Sequence, residues 1–200
     1  MTVEIVFETH SLSEDNERGN ATGWLDGRLS ERGRRLAEEL GERRRADDPA
    51  ALFSSDLGRA RETTEIAFGA AGIPILWDWR LRECDYGELN GAPVDVVHGQ
   101  RTRRLDDPYP GGESWRHAVE RVGRCLDDLP TRWDGGLVVI VGHVATKWAL
   151  DHRVHGTPLD ELIAVPFDWR EGWRYSLPAV LGAASRSSSA PLRSRRQSSV

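Results

Sequence analysis

The feature that most limits how this chain can fold is an uninterrupted apolar run at residues 137–141, which reads LVVIV. A strand without a polar face belongs at the centre of a parallel sheet that is covered on both sides. The run leads directly into Gly142 and His143. Ligands of open α/β sheets bind at the carboxyl ends of such strands. The run therefore predicts an α/β fold and makes His143 a candidate site residue.

A second strand opens the chain and leads to another histidine. Residues 3–7 (VEIVF) are β-branched and aromatic, and His10 follows them. Helix and strand patterns then alternate, with a helix from Ser30 as N-cap to about residue 45, a strand at 51–55, a helix at 60–68, a strand at 73–76 and a helix at 114–129. This alternation predicts a three-layer α/β/α architecture with a mostly parallel central sheet.

Composition narrows the class of protein. The chain has 200 residues, enough for one domain with a sizeable core, and its formal net charge of −5 argues against a nucleic-acid partner. Its two cysteines, Cys84 and Cys125, are too far apart for a CxxC motif and too few for a disulfide framework. With no secretory signal and no stretch of about 18 apolar residues, we expect a cytoplasmic protein that does not bind membranes. We expect a catalytic domain at residues 1–182 and a disordered Ser/Arg-rich tail at 183–200.

Four residues with reactive or charged side chains are each predicted at a strand end on this same edge, namely His10, Arg59, Glu83 and His143. Cleavage of a phosphate ester requires a nucleophile, donors for the phosphoryl oxygens and an acid for the leaving oxygen. These side chains supply all three functions without a metal or another cofactor. Taken singly, either histidine is more often a structural residue than a catalyst, so the interpretation depends on their convergence.

Five motifs follow one another in order along the chain. His10 is followed by Asn16, and residues 22–26 and 29–33 then read TGWLD and LSERG. Further on, the chain reads SSDLGRARET at 54–63, LRECDYGELNG at 81–91, PGGES at 110–114 and VIVGH at 139–143. In this order the motifs resemble those of the histidine phosphatase superfamily, the phosphoglycerate mutase-like proteins, up to residue 178.

The resemblance implies a phosphoglycerate mutase-like fold and a role for each candidate. His10 attacks phosphorus, Glu83 protonates the departing oxygen, and Arg59 and His143 bind the phosphoryl oxygens. We expect a backbone carbonyl to hold one ring nitrogen of His10, and we expect His143 to act in its protonated form. The residues that the resemblance places against substrate are Thr9, Ser11, Asn16, Thr22, Gly23, Tyr86, Arg103 and Arg104.

One triplet differs from the family pattern. The family reads Arg-His-Gly around the nucleophile, with the arginine on the phosphoryl oxygens, whereas this chain reads Thr9-His10-Ser11. A planar cation is thereby replaced by a hydroxyl. Arg18 and Arg28, in the loop that follows, are candidates to restore the positive charge, and we hypothesise that Arg18 does so.

The basic cluster formed by Arg101, Arg103 and Arg104 has two interpretations. It resembles the paired arginines with which mutases of this family hold substrate anions, and it equally fits a solvated turn that balances Asp106 and Asp107.

The leading functional hypothesis is a small-molecule phosphomonoesterase that works through a phosphohistidine. A phosphoglycerate mutase-like phosphotransferase is the second, and a catalytically weak binding or regulatory protein is the third. The expected partner is a small phosphorylated molecule. The sequence leaves the oligomeric state open, a homodimer included.

Overall fold

A five-stranded sheet runs through the protein, for which a computed structural model describes residues 2–178. The strands are β1 (Thr2–Thr9), β2 (Ala51–Ser54), β3 (Ile75–Trp77), β4 (Leu137–Gly142) and β5 (Trp173–Pro178). They lie in the order β3-β2-β4-β1-β5, and only β5 is antiparallel to its neighbour. The apolar run predicted at the centre is β4, which pairs with β1 and β2. The expected tail at 183–200 and the end of the expected domain lie outside the described residues.

Helices cover both faces of this sheet. Their bounds are α1 (Glu14–Glu17), α2 (Glu31–Arg44), α3 (Gly58–Phe68), α4 (Val94–His98), α5 (Trp115–Asp128), α6 (Pro130–Trp133), α7 (Val144–His155) and α8 (Leu159–Ala164). Short 3₁₀ turns span Trp79–Leu81, Gly87–Leu89 and Thr102–Arg104. None of the helices within residues 2–178 has both the length and the apolar character that crossing a membrane requires.

The buried residues form two cores, one on each face of the sheet. Phe7 and Ile140 belong to the larger core, which includes the buried residues of α5 and α7. Val6 and Val139 point to the opposite face and pack with residues of α2 and α3. Because successive strand residues point to opposite faces, a strand that is apolar throughout contributes side chains to both cores. The predicted three-layer α/β/α architecture is confirmed.

The structure differs from the sequence prediction at two strands. The third strand begins at Ile75, after Pro74, whose ring leaves no backbone N–H for a sheet ladder. The edge strand β5 was not predicted, because its residues alternate between buried and exposed and lack an apolar run. The helix N-cap at Ser30 was placed correctly, and its side chain accepts a hydrogen bond from the backbone N–H of Gly33 at 3.1 Å.

The loop after β1, which carries His10, is positioned by close packing against α2. Gly33 lies against this loop, where a Cβ would stand only 1.9 Å from the carbonyl oxygen of Leu12. The carbonyl of Gly33 also accepts a hydrogen bond from Ser11 Oγ at 2.7 Å. A glycine is therefore required here for the helix to reach the loop at the carboxyl edge of the sheet.

Candidate active site

The four residues predicted at strand ends line one cavity of about 700 Å³ at the carboxyl edge of the sheet. His10 directly follows β1, Arg59 lies in the first turn of α3, and His143 directly precedes α7. Glu83 comes from the loop after the 3₁₀ turn that follows β3. The ring centroids of His10 and His143 are 5.0 Å apart. Residues distant in sequence thus meet within a few ångströms.

The ring of His10 is held in one orientation. Its Nδ1 lies 2.7 Å from the carbonyl oxygen of Ser11, so Nδ1 carries the proton and donates to that carbonyl. The other nitrogen, Nε2, accepts a hydrogen bond from Nε of Arg59 at 3.3 Å. Desolvation and the charge of Arg59 lower the pKa of His10 to about 3, against a smaller opposite effect of the Ser11 hydrogen bond. His10 is therefore neutral near pH 7, with a lone pair on Nε2 that can act as a nucleophile.

Arg59 is a buried cation whose hydrogen bonds go to neutral groups. Its side chain donates to the carbonyl oxygens of Gly23 and Leu25, each at 2.9 Å, and its residue is only 2% exposed. Among residues 2–178, no carboxylate forms a salt bridge with it. Burial lowers the pKa of Arg59 from its usual value, which expresses the cost of keeping the charge out of water. A buried guanidinium that lacks a carboxylate partner is suited to receive an anion.

His143 lines the cavity, with one ring nitrogen beside Arg59 and the other without a hydrogen-bond partner in the described residues. Its Nδ1 lies 3.4 Å from Nη2 of Arg59, which can only donate, so Nδ1 accepts and the proton resides on Nε2. This Nε2 is buried and has no hydrogen-bond partner within the described residues. Burial, followed by the charge of Arg59, places the pKa of His143 well below its usual value. In the free protein the ring is therefore neutral and its Nε2–H is the available donor, whereas the expectation that His143 acts in its protonated form stays a prediction for the substrate complex.

Glu83 is a buried carboxyl group aimed at the start of α7. Its Oε1 accepts backbone N–H groups of Cys84 at 2.9 Å and Ala145 at 3.2 Å, while Oε2 accepts that of Val144 at 3.3 Å. Burial raises the pKa of Glu83, outweighing these hydrogen bonds and the charge of Arg59. Because Oε2 has the fewer and longer contacts, it is the oxygen better placed to carry and donate a proton.

Two hydrogen bonds to its carbonyl oxygen hold the backbone of Glu83 in place. Its carbonyl oxygen accepts the indole N–H of Trp24 at 2.7 Å and Nη2 of Arg121 at 3.0 Å. The same Arg121 forms a salt bridge to Glu113 at 2.7 Å. The loop that carries the acid is thus fixed from both the 22–26 segment and α5.

Several residues expected against substrate also line the cavity, namely Thr9, Ser11, Asn16, Thr22, Gly23 and Tyr86. Thr22 is buried and donates to Asp15 Oδ2 at 3.1 Å. Gly23 adopts a positive φ of 55°, and a Cβ there would lie 1.9 Å from Asn90 Oδ1. This close approach requires glycine, and it turns the carbonyl of Gly23 towards Arg59.

Three expected arginines lie outside this cavity. Arg18 is exposed and pairs with Glu14 at 3.1 Å. Arg103 is exposed and bonds Gln100, whereas Arg104 pairs with Asp107. The structure therefore does not bring Arg18, Arg103 or Arg104 to the four central residues, because each is held by a partner close to it in sequence.

The cavity wall contains a different arginine of the same basic cluster. Arg101 is 7% exposed, stacks on the ring of Trp148 at 5.4 Å, and donates a long 3.5 Å hydrogen bond to the carbonyl oxygen of Val165. Its buried Nε has no partner among the described residues, and no carboxylate within them forms a salt bridge with it. The sequence indicated the cluster, but the choice among its arginines depends on the short helical turn that turns Arg103 outwards.

Sequence reasoning missed a wall of the cavity formed by α2 and residues 166–171. Arg32, Arg43 and Trp169 belong to it, and the indole N–H of Trp169 donates to Thr9 Oγ1 at 3.2 Å. No motif marks these positions, since residues 166–171 reach the site through the pairing of β5 with β1, and Arg32 and Arg43 through the packing of α2. Within residues 2–178, no group of three or more His, Cys, Asp or Glu side chains is arranged to hold a metal ion.

The chain is similar in sequence to proteins of one known family. The family model described as histidine phosphatase superfamily (branch 1) matches residues 5–170. The chain belongs to the histidine phosphatase superfamily. A curated relative, the probable phosphoglycerate mutase GpmB of Salmonella typhi, is 30% identical over 164 residues, which cover 78% of this chain and 76% of the relative.

Solved structures of the histidine phosphatase fold are similar over most of this chain. YhfR of Bacillus stearothermophilus superposes with a TM-score of 0.75 at 30% identity, over 84% of this chain and 88% of that one. A mycobacterial glucosyl-3-phosphoglycerate phosphatase superposes with a TM-score of 0.73 at 24% identity, over 83% and 85% of the two chains. These structural matches show a phosphoglycerate mutase-like fold, and the family model together with the curated relative supports a phosphatase or mutase type of enzyme.

Proposed function

We propose that the protein is a small-molecule phosphomonoesterase that forms a phosphohistidine on Nε2 of His10. One observation carries the proposal. The unprotonated Nε2 lies beside the guanidinium of Arg59, and the partnerless Nε2–H of His143 is on a ring whose centroid is 5.0 Å away. A nucleophile and two donors for developing negative charge thus lie together in one cavity.

The proposed reaction has two steps. In the first, the lone pair of His10 Nε2 forms a bond to phosphorus, the ester P–O bond breaks, and the carboxyl proton of Glu83 passes to the departing oxygen. In the second, a water oxygen bonds to phosphorus, the N–P bond breaks, and the Glu83 carboxylate takes up the proton of the water. Inorganic phosphate leaves, and His10 and Glu83 return to their starting states.

Water access favours hydrolysis over transfer to a second substrate. His10 is only partly buried, and Trp169, on the same cavity wall, is 58% exposed. A phosphohistidine at this position would therefore be open to attack by water. A mutase is the second candidate, because the 30% identical relative bears the name phosphoglycerate mutase.

We further propose that Arg101, rather than Arg103 or Arg104, contacts a second anionic group on the substrate. The support is its buried guanidinium in the cavity wall without a carboxylate partner in residues 2–178. A second carboxylate or phosphate on the substrate would offset the cost of that buried charge. Asn16, Thr22, Gly23 and Tyr86 would form the remaining substrate contacts.

We also propose that the enzyme works in the cytoplasm as one catalytic domain over residues 1–182. Its two cysteines, Cys84 and Cys125, are buried free thiols, which suits a reducing compartment.

The test is release of phosphate from a panel of p-nitrophenyl, sugar, nucleotide and glycerate phosphates. The wild type is compared with His10→Ala and with His117→Ala, which alters an exposed histidine outside the cavity. We expect wild-type and His117→Ala enzyme to release phosphate and His10→Ala to release none. Rearranged phosphate isomers without net release would support the mutase instead, and equal release by His10→Ala would overturn both.

A further inference from the structure

Within residues 2–178, the hydroxyl group of Thr9 has one hydrogen-bond partner. Thr9 is the last residue of β1, it pairs with Gly142 across the sheet, and it lines the cavity beside His10. Its Oγ1 lies 3.2 Å from Nε1 of Trp169. No other side-chain hydrogen bond of Thr9 is formed among residues 2–178. A polar group next to the nucleophile is therefore satisfied on one side only.

The direction of this hydrogen bond follows from the chemistry of the two groups. An indole N–H can only donate, whereas a threonine hydroxyl has one donor and two acceptor positions. Trp169 must therefore be the donor, and Thr9 Oγ1 must be the acceptor. The hydroxyl hydrogen of Thr9 is left without an acceptor in the described residues, although Thr9 and the adjacent His10 line the same cavity.

The segment that carries Trp169 is tied to the sheet and to α2. Arg44 of α2 donates to Glu8 at 2.7 Å and to the carbonyl oxygen of Glu171 at 3.0 Å. Glu8 is buried and immediately precedes Thr9. A Cβ on Gly172 would lie 2.1 Å from Arg44 Nη2 and 2.6 Å from Glu8 Oε1, so the chain passes this ion pair in close contact. These contacts fix residues Glu171 and Gly172, which closely follow Trp169.

We propose that Trp169 is a positioning residue that turns the Thr9 hydroxyl into a hydrogen-bond donor for the phosphoryl group undergoing transfer. Trp169 occupies one acceptor position of Thr9 Oγ1, and the hydroxyl hydrogen then points to the phosphoryl oxygens. The inference rests on the proposed phosphatase function and adds a donor to it. A hydroxyl group beside His10 can act as this donor because the Trp169 N–H restricts its rotation, and the Trp169 segment is itself held by Arg44.

The experiment compares phosphate-ester hydrolysis and orthovanadate binding in the wild type, Thr9→Ser, Thr9→Val, Trp169→Phe and the double variant Thr9→Val/Trp169→Phe. Thr9→Val keeps the shape and removes the hydroxyl, so we expect kcat to fall about 10- to 100-fold, the usual range for one hydrogen bond to a charged group. Trp169→Phe keeps a ring and removes the N–H, and we expect a fall of about 3- to 10-fold, since the donor remains but is no longer oriented. Thr9→Ser should keep most of the wild-type rate.

The double variant separates positioning from simple structural damage. If Trp169 acts through Thr9, Thr9→Val/Trp169→Phe is no slower than Thr9→Val alone, whereas independent roles give the product of the two effects. Trp79→Phe is the matched control, because Trp79 is 51% exposed and does not line the cavity. Its kcat should equal the wild-type value.

Each outcome decides the proposal. Wild-type rates in both Thr9→Val and Trp169→Phe, or multiplicative effects in the double variant, overturn the inference and leave the phosphatase function standing. If the wild type turns over no ester, the proposed function fails. In that case the same variants are compared by orthovanadate affinity, where weakened binding in Thr9→Val and Trp169→Phe supports the hydroxyl donor and unchanged binding overturns it. Should Trp169→Phe fail to fold, the Thr9→Ser and Thr9→Val pair still tests the donor.

Discussion

Replacing Glu83 by Gln tests the proton donor of the proposed mechanism. The substitution keeps the size of the side chain and one oxygen that can accept the N–H groups of Cys84 and Ala145, but it removes the acidic proton. General acid catalysis contributes roughly 10²- to 10⁴-fold to a rate. At about 1.4 kcal/mol for each factor of ten, this corresponds to ~3–5.5 kcal/mol of transition-state stabilisation. The full loss is expected only for esters whose leaving group needs a proton.

The assay compares two esters that differ in this need. An alkyl phosphate such as glycerol phosphate leaves as a strongly basic alkoxide, whereas p-nitrophenolate leaves readily without protonation. We expect Glu83→Gln to lose about 10²- to 10⁴-fold in kcat/KM on the alkyl ester and less than about tenfold on p-nitrophenyl phosphate. Glu120→Gln, an exposed glutamate of α5 outside the cavity, serves as the control.

The pH dependence gives an independent check on the same group. Burial raises the pKa of Glu83, and only the protonated form can donate, so wild-type activity on the alkyl ester should fall as pH rises through that raised pKa. His10 does not set the acid side near neutral pH, because its pKa is lowered to about 3. Equal losses of kcat/KM on both esters, or a basic limb that persists in Glu83→Gln, would refute the assignment of Glu83 as the acid.

Three further predictions follow from single contacts. Arg59→Met should raise the pKa of His10 above about 3 but not to its usual value, because the charge of Arg59 is removed while the larger effect of burial remains. An NMR titration of the His10 ring measures this pKa, and an unchanged value would show that Arg59 does not lower it. Gly33→Ala should lower the free energy of unfolding by about 1–3 kcal/mol in urea, since its Cβ meets the carbonyl of Leu12, and a stability equal to wild type would show that α2 can move away. Arg101→Met should raise KM about tenfold or more for substrates with a second anionic group and leave KM for p-nitrophenyl phosphate unchanged, whereas equal effects on both would remove Arg101 from substrate recognition.

Much of the fold was predictable because its signals are local. The run at 137–141 has no polar face, which dictated a central strand, and Ser30 marked the start of α2 within one residue. The strand β5 escaped prediction because only one of its faces is buried, so its alternating pattern is weak beside the apolar run of β4. Its position beside β1 depends on long-range pairing that no local pattern encodes.

The candidate site was predictable where motifs coincide with strand ends. His10, Arg59, Glu83 and His143 each follow or closely follow an element of the sheet, so the parallel topology gathers them at one edge. Their protonation states were harder to foresee. The low pKa of His143 arises from burial and from Arg59, and both depend on tertiary packing.

The arginines show why long, charged side chains are difficult to place from sequence. Arg18 and Arg104 find carboxylates three or four residues away, whereas Arg101 is buried against Trp148. Each choice depends on the direction in which a short turn points its side chain. Trp169 illustrates the same limit, because its contact with Thr9 joins residues 160 positions apart.

The most direct measurement of the central claim is the site of covalent phosphate on the enzyme during turnover. The protein is mixed with a ³²P-labelled ester, quenched in alkali within milliseconds to seconds, digested and mapped by mass spectrometry. We predict an acid-labile phosphoryl group on the peptide that contains His10, lost in His10→Ala and accumulating when hydrolysis of the phosphohistidine is slowed. Turnover without any such adduct, or an adduct on another side chain, would contradict it.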